Sequence, residues 1–301
     1  MLTGFDSALT AEDIMAKYAD ASKQTTAFNA DIDATLDASL NILGMANDYK
    51  LSYDMTMSAT TDPLSYKMSG PVTMEITDTP SYAADMEMYM VPEGDQYAMY
   101  YNVALNGDPS WSKSTVAAAE VQPIIDQLMS ASFDFTQFPV VFALADAPVT
   151  ANGKECYELS ASLTLDELVL LVSPYLDSVN AGVSGEDLQA YASMLPGLQF
   201  NFVLDVDTAS FRPIAMHLDC DGSDWSAIAA TISMIMTMNG VSSEGDESVP
   251  QITLDVRTLS MDVVYDYDSP VEITLPAEAA SATDLGSVDQ DSLLSMVMDA
   301  E

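Results

Sequence analysis

Hydrophobic and polar residues alternate almost without fault from Phe28 to Ile42. Phe28, Ala30, Ile32, Ala34, Leu36, Ala38, Leu40 and Ile42 share one parity; Asn29, Asp31, Asp33, Thr35, Asp37, Ser39 and Asn41 share the other. Side chains of a strand point to opposite faces in turn, so this period of two predicts a half-buried strand. It is far longer than the usual strand of about 5–6 residues. The pattern returns at once. Tyr49, Leu51, Tyr53, Met55 and Met57 alternate with polar residues, then Leu64, Tyr66, Met68, Gly70, Val72, Met74 and Ile76. Tyr82, Ala84, Met86, Met88 and Met90 follow, then Tyr97, Met99, Tyr101 and Val103. Short polar breaks between these runs predict an antiparallel meander with one wet face. Pro71 lacks an N–H, so it predicts an edge position or a bulge in the third strand.

Helical spacing interrupts the strands. Thr10 before Ala11-Glu12-Asp13 reads as an N-cap, with Ile14, Tyr18 and Ala21 on one face behind it. Helices are also expected over Val116–Ala131, over Leu165–Val179 with a kink or stop at Pro174, and from Gly185 to Met194. Strands are expected over Gly153–Leu163, Phe200–Val206 and Ile214–Leu218, and Asp224 can cap a helix over Trp225–Met238. A loop over Asn239–Pro250 leads to a last strand, Ile252–Tyr267. Its apolar parity slips from Ile252, Leu254, Val256 to Leu259, Met261, Val263, Tyr265. That slip predicts a β-bulge near Arg257-Thr258. Pro270–Ala280 is expected to leave the sheet. No linker divides the chain, so the expected class is α+β: one domain over residues 1–301, a large curved antiparallel sheet with helices on its apolar face. Residues 1–10 are expected to be flexible, and residues 281–301 to form a partly ordered acidic tail.

Charge narrows the function. The 301 residues hold 47 Asp and Glu against 8 Lys and Arg, a formal net charge of −39. Nucleic acids are bound by Lys and Arg displacing counterions, so that class is excluded. Anionic lipid surfaces are repelled too. The plain reading of the charge is solubility and a monomeric state. No run of 18 uncharged apolar residues occurs, so no transmembrane helix is expected. An opening of Met1-Leu2-Thr3-Gly4 that soon turns polar suits a mature exported domain or a cytosolic protein. Cys156 and Cys220 belong to no C-x-x-C pair. A disulfide between them suits an exported protein, but Cys156 lies on a polar parity and Cys220 on an apolar one. Bonding them therefore needs a strand end or bulge, and the pair stays an open candidate.

Catalytic patterns are sparse. His217 is the only histidine, and its parity predicts a solvated strand position. No G-x-S-x-G, H-E-x-x-H, G-x-x-x-x-G-K or G-x-G-x-x-G occurs. Carboxylate pairs such as Asp31/Asp33, Asp205/Asp207 and Asp266/Asp268 read as solvated, and none stands out as a glycosidase pair. Asp219-Cys220-Asp221-Gly222-Ser223-Asp224 offers oxygen ligands but lacks EF-hand spacing; a turn and a helix cap explain it. The 20 methionines are the anomaly, many of them on the inward parity. Methionine is flexible and polarizable, so such a face suits varied apolar ligands, and it equally suits ordinary core filling. The helix from Trp225 reads as a lid over a cavity or as a buried helix.

One further pattern lies in the order of parts. A short helix (AEDIMAKYADASKQTTAF) leads into a long acid-studded strand, then a meander, Trp111, helical segments and Gly153-Lys154-Glu155-Cys156-Tyr157. The hairpin FNFVLDVDTASFRPIAMHLDC and an ending through Tyr265-Asp266-Tyr267-Asp268 and Ile273-Thr274-Leu275-Pro276 follow. This order resembles the LolA/LppX-like lipoproteins, in particular poorly characterised ones of Gram-positive gut bacteria. The resemblance implies an incomplete β-barrel whose concave side is covered by helices, with acyl chains or other lipids held between them. It also implies export and tethering by a lipidated N-terminal cysteine, although none stands near Met1. The expected protein is an extracellular, cell-surface lipoprotein and a non-catalytic monomer without cofactor or metal. Its expected partner is a lipid or hydrophobic small molecule, and it meets the membrane only through its anchor. The candidate cavity lining is Met55, Met57, Met68, Met74, Met86, Met88, Met99, Trp225, Ile232 and Met236. The rival readings are a ligand-free cell-surface interaction module and a carboxylate-dependent hydrolase.

Overall fold

Thr10 starts the first helix by exchanging bonds with the first turn. Its hydroxyl accepts the Asp13 N–H at 3.2 Å while its own N–H donates to the Asp13 carboxylate at 3.0 Å, a capping box. The helix, α1, is Ala11–Lys23 and buries Ile14 and Met15. These residues belong to a computed structural model that describes residues 6, 8–42, 44–105, 109–119, 141–170, 189, 192–193, 197–238 and 252–287.

Thirteen strands follow, all in one sheet among the described residues. They are β1 Ala27–Ile42, β2 Met45–Thr61, β3 Leu64–Ile76, β4 Tyr82–Glu93, β5 Gln96–Leu105, β6 Trp111–Ala117, β7 Ala143–Leu144, β8 Val149–Ala151, β9 Lys154–Thr164, β10 Gln199–Asp207, β11 Pro213–Asp219, β12 Ile252–Asp266 and β13 Thr283–Ser287. The order across the sheet is β13-β6-β5-β4-β3-β2-β1-β12-β11-β10-β9-β7, with β8 also on β9. Two meanders, β1 to β6 and β9 to β12, thus meet where β12 pairs with β1. The sheet is curved and does not close into a barrel. Another helix, α2 (Ser226–Met238), starts where the Asp224 carboxylate accepts the Ser226 N–H at 2.9 Å.

The parity slip in β12 is a real bulge. Asp37 lies opposite Thr258 and Ala38 opposite Val256, which leaves Arg257 as the extra residue. Pro71 departs from expectation. It lies in β3, an interior strand, yet the β2–β3 ladder is bridged at Tyr53–Val72 and Thr56–Ser69 and not between. Pro71 falls in this gap, so the residue without an N–H sits where β2 and β3 are not bridged. Beside it, β2 crowds Gly70: a Cβ there would stand 2.0 Å from the Asp54 carbonyl oxygen.

The apolar face carries two cores. Ile14 and Met15 of α1 pack on Tyr157, Leu159, Leu204 and Val206 of β9 and β10. Met90, Tyr97, Met99 and Val116 form another across β4, β5 and β6. Val116, expected to open a helix, is therefore a buried strand residue, and residues 120–131 of that expected helix lie outside the described residues. Helical residues 165–170 open with a second capping box, Thr164 with Glu167; most of the expected continuation, and most of the Gly185–Met194 helix, lies outside the described residues.

The opposite face is not uniformly wet. Tyr89, Ala98, Tyr100 and Trp111 form a third core there, covered by Ile273, Leu275, Ala279 and Ala282 of the segment after β12. The segment does leave its strand, as expected. It then returns, and β13 pairs in parallel with β6, so part of the supposed tail is a strand.

The Cys156–Cys220 disulfide is overturned: both cysteines are buried and free. Register gives the reason. Cys156 pairs with Asp207 at one end of β10, and Cys220 follows Asp219, which pairs with Asn201 at the other end. Those six residues span about 20 Å, far beyond the Cα separation of about 7 Å that a disulfide tolerates. Burial pushes both thiols up to about 11, so they stay protonated at neutral pH.

Candidate ligand-binding face

Antiparallel register gathers the methionines of the meander. Met57, Met68 and Met88 stand side by side across β2, β3 and β4, followed by Tyr101 on β5. Met86 lies opposite Gly70 in the next row, and Met74 lies between Leu51 and Tyr82 in a row beyond. These residues share the apolar parity of their strands, so they form one apolar surface. It is unevenly covered. Met55 and Met99 are buried, at 5% and 6% exposure, whereas Met74, Tyr82 and Val103 are 40%, 46% and 39% exposed. Met57, Met68, Met86 and Met88 are half-buried.

Phenols edge this surface. The Tyr101 hydroxyl donates to the Met99 sulfur at 3.4 Å. Tyr66, opposite Met90, is pushed up to about 12 by burial and by the neighbouring Tyr101. Tyr265 is likewise pushed up to about 12 by burial, and it stacks on Tyr267 at 6.2 Å between centroids and tilts against Phe28 at 5.9 Å. Such phenols stay neutral at any physiological pH and can donate a hydrogen bond inside an apolar surface. Their parity was readable in the sequence; their burial was not.

Trp225 lies elsewhere, and Ile232 follows it on α2. Trp225 lines a separate cleft of about 620 Å³ with Ile252, Leu254 and Val256 at the start of β12. Val256 pairs with Ala38 of β1, while Met57 pairs with Ala30. Eight residues of β1 separate the two places, about 26 Å along the strand. Trp225 is thus set apart from the Met57–Met68–Met88 row, whereas Met74, reached through Leu51 and Leu36, lies one row from Ala38 and Val256. The Met236 side chain lies outside the described residues.

The polar face holds the only histidine in a carboxylate clamp. His217 Nδ1 lies 2.7 Å from Asp262 and Nε2 lies 3.1 Å from Asp219. It is thus paired, not merely solvated as its parity implied. Burial pulls its pKa down, but the bonds to Asp262 and Asp219 and their charges outweigh that, and the net shift is upward. A raised folded pKa contributes stability that is fully present below the unfolded value of about 6.5 and is lost as pH rises through the folded value. His217→Asn is therefore expected to lower the urea midpoint at pH 5.5 and to approach the wild type at alkaline pH. A pH-independent difference would refute the clamp. The neighbouring Asp219–Asp224 stretch is the expected turn and cap: Asp219 accepts the Asp221 N–H at 2.8 Å and the Asn201 amide at 2.7 Å.

Fold and face together define an α+β protein on one unclosed antiparallel sheet, with an apolar, methionine-rich surface left partly open. The chain matches the family described as "Family of unknown function (DUF6612)" over residues 10–254, and it belongs to that family. No curated protein matches it. Solved structures with some similarity include MucB in complex with MucA(peri), 10% identical with a TM-score of 0.27, covering 89% of this chain and 61% of that one. The chain thus spans less than two thirds of that MucB chain. A DUF1329 family protein from Desulfovibrio piger ATCC 29098 is 8% identical, with a TM-score of 0.23, covering 86% of this chain and 93% of that one. A beta-barrel-like DUF1849 protein from Brucella abortus is 8% identical, with a TM-score of 0.21, covering 79% and 96%. At such low overlap none of them bears on what this chain binds. No helix among the described residues is long and apolar enough to cross a membrane.

Proposed function

We propose that the protein is an exported, membrane-tethered binding protein of the LolA/LppX-like kind. It holds a lipid or another apolar molecule against the methionine-rich face of β2 to β5 and carries out no catalysis. The observation that supports this is the uneven cover of one apolar face. α1 packs on β9 and β10, while the same face on β2 to β5 keeps Met74, Tyr82 and Val103 exposed beside a row of half-buried methionines. Contiguous apolar surface of that kind marks binding sites in soluble proteins, and methionine adapts to ligands of varied shape.

Native mass spectrometry of freshly purified protein, with organic extraction of the bound material, tests the reading. The expected result is a heterogeneous adduct that extracts as lipid and is lost in Met68→Glu/Met88→Glu. A clean apo mass, unshifted by fatty acids or phospholipids, would reject it and favour the ligand-free interaction module.

A further inference from the structure

The cleft beside Trp225 is not a second patch of the methionine face, because it runs along a strand edge. Its strand wall is five consecutive residues, Ile252 to Val256. The face of a strand exposes only alternate residues, whereas an edge exposes them all. The register agrees. β11 pairs with β12 only between Ser260 and Val264, and the last contact is the Cys220 N–H on the Leu259 carbonyl at 3.1 Å. The chain then turns away through Gly222 into α2. Among the described residues, Ile252–Val256 are therefore paired on one side only, by β1. Every second residue of this stretch directs its N–H and C=O into the place where a further strand would run.

Among the described residues, the surroundings leave that place open. α2 roofs it with small side chains, Ser226, Ala229, Ala230 and Ser233, and the bulge at Arg257 lies just past Val256. The volume, about 620 Å³, falls within the range of about 300–1,000 Å³ usual for ligand sites. An alkyl chain there would bury the edge amides without partners, a costly arrangement. An added peptide strand would pair them. Asp224 and Asp255 line the cleft, and among the described residues no Lys or Arg lines it, so a basic or neutral peptide fits better than an acidic one. A second copy of this chain, also at −39, is repelled.

We propose that the edge of β12 beneath α2 receives an extended, basic or neutral peptide segment of a partner protein as an added β-strand. This site is distinct from the apolar face assigned above, and it stands or falls independently of that reading.

The test uses a capped, fluorescein-labelled seven-residue peptide that alternates valine with lysine and threonine, titrated into the full chain by fluorescence anisotropy. Saturable binding is expected. Ala230 is exposed at the cleft, so Ala230→Trp should fill it without disturbing the fold and weaken binding by at least about tenfold. N-methylating alternate peptide residues, in the register that points their N–H groups at β12, should weaken binding by a similar factor of about tenfold. A proline pair supplies a control within the protein. Of Thr253→Pro and Leu254→Pro, one deletes an N–H bonded to β1 and lowers the melting temperature. The other deletes only an edge N–H, keeps the melting temperature and loses peptide affinity. No binding at millimolar peptide would overturn the proposal. So would binding indifferent to N-methylation in both registers, which would mark a cleft for apolar side chains. Dimerisation through this edge in analytical ultracentrifugation, with the peptide inert, would assign the edge to a second copy and overturn it as well.

Discussion

Gly70→Ala is expected to lower the melting temperature by roughly 5–10 °C, the equivalent of about 2–4 kcal/mol. A methyl group at this position would stand 2.0 Å from the Asp54 carbonyl oxygen and 2.9 Å from the Met55 Cα. Both are backbone atoms of β2, so no side chain can rotate aside. Relief requires β2 and β3 to separate at the place where their ladder is already unbridged, between Tyr53–Val72 and Thr56–Ser69. Met55, buried at 5% exposure, would move with them. Gly94→Ala is the comparison. Gly94 also has a positive φ, +69°, but an added Cβ meets nothing within 4 Å, so only the conformational cost of about 1 kcal/mol remains. Thermal melts of both variants check the argument. Equal losses would mean that the close approach at Gly70 is absent in solution.

The second large effect is expected on the other face. Trp111→Ala should cost roughly 3–5 kcal/mol, the usual range for emptying a buried tryptophan site. Trp111 is 8% exposed and its ring lies 6.0 Å from that of Tyr89. With Ala98, Tyr100 and Ala279 it forms the core that Ile273, Leu275 and Ala282 cover. Trp111 also opens β6, the only described strand on which β13 is paired. The loss should therefore be regional. Hydrogen exchange is expected to accelerate across residues 270–287 and in β6, while β9 and β10 under α1 keep their protection. Uniform acceleration across the sheet would contradict a separate core, and no acceleration at residues 270–287 would contradict the covering segment.

The candidate site was only half legible in the sequence. The methionine parity was visible residue by residue, and Met57, Met68 and Met88 do stand together. Trp225 does not stand beside them and lines a cleft on β12 instead. Nothing local in the chain says that the start of β12 lies about 26 Å along β1 from those methionines. The β12 edge left no signal either, because an unpaired edge is defined by where β11 stops. The cysteine pair shows the same limit: opposite parities left the bond open, and only register put the two residues toward opposite ends of β10.

By itself the sequence determined what depends on neighbours along the chain. Alternation from Phe28 onward set the strands and their faces, Thr10 and Asp224 set two helix starts, and the broken parity at Arg257 set the bulge. Each follows from backbone geometry over a few residues, which a local pattern encodes. Tertiary structure alone decided which strands became neighbours, with β12 closing against β1 across more than 200 residues of chain. It also decided that Tyr89, Tyr100 and Trp111 on the supposed wet face would be covered, and which apolar surfaces would stay open. Those outcomes depend on which distant segment finds a given apolar face first worth burying, a competition over the whole chain that no local period records.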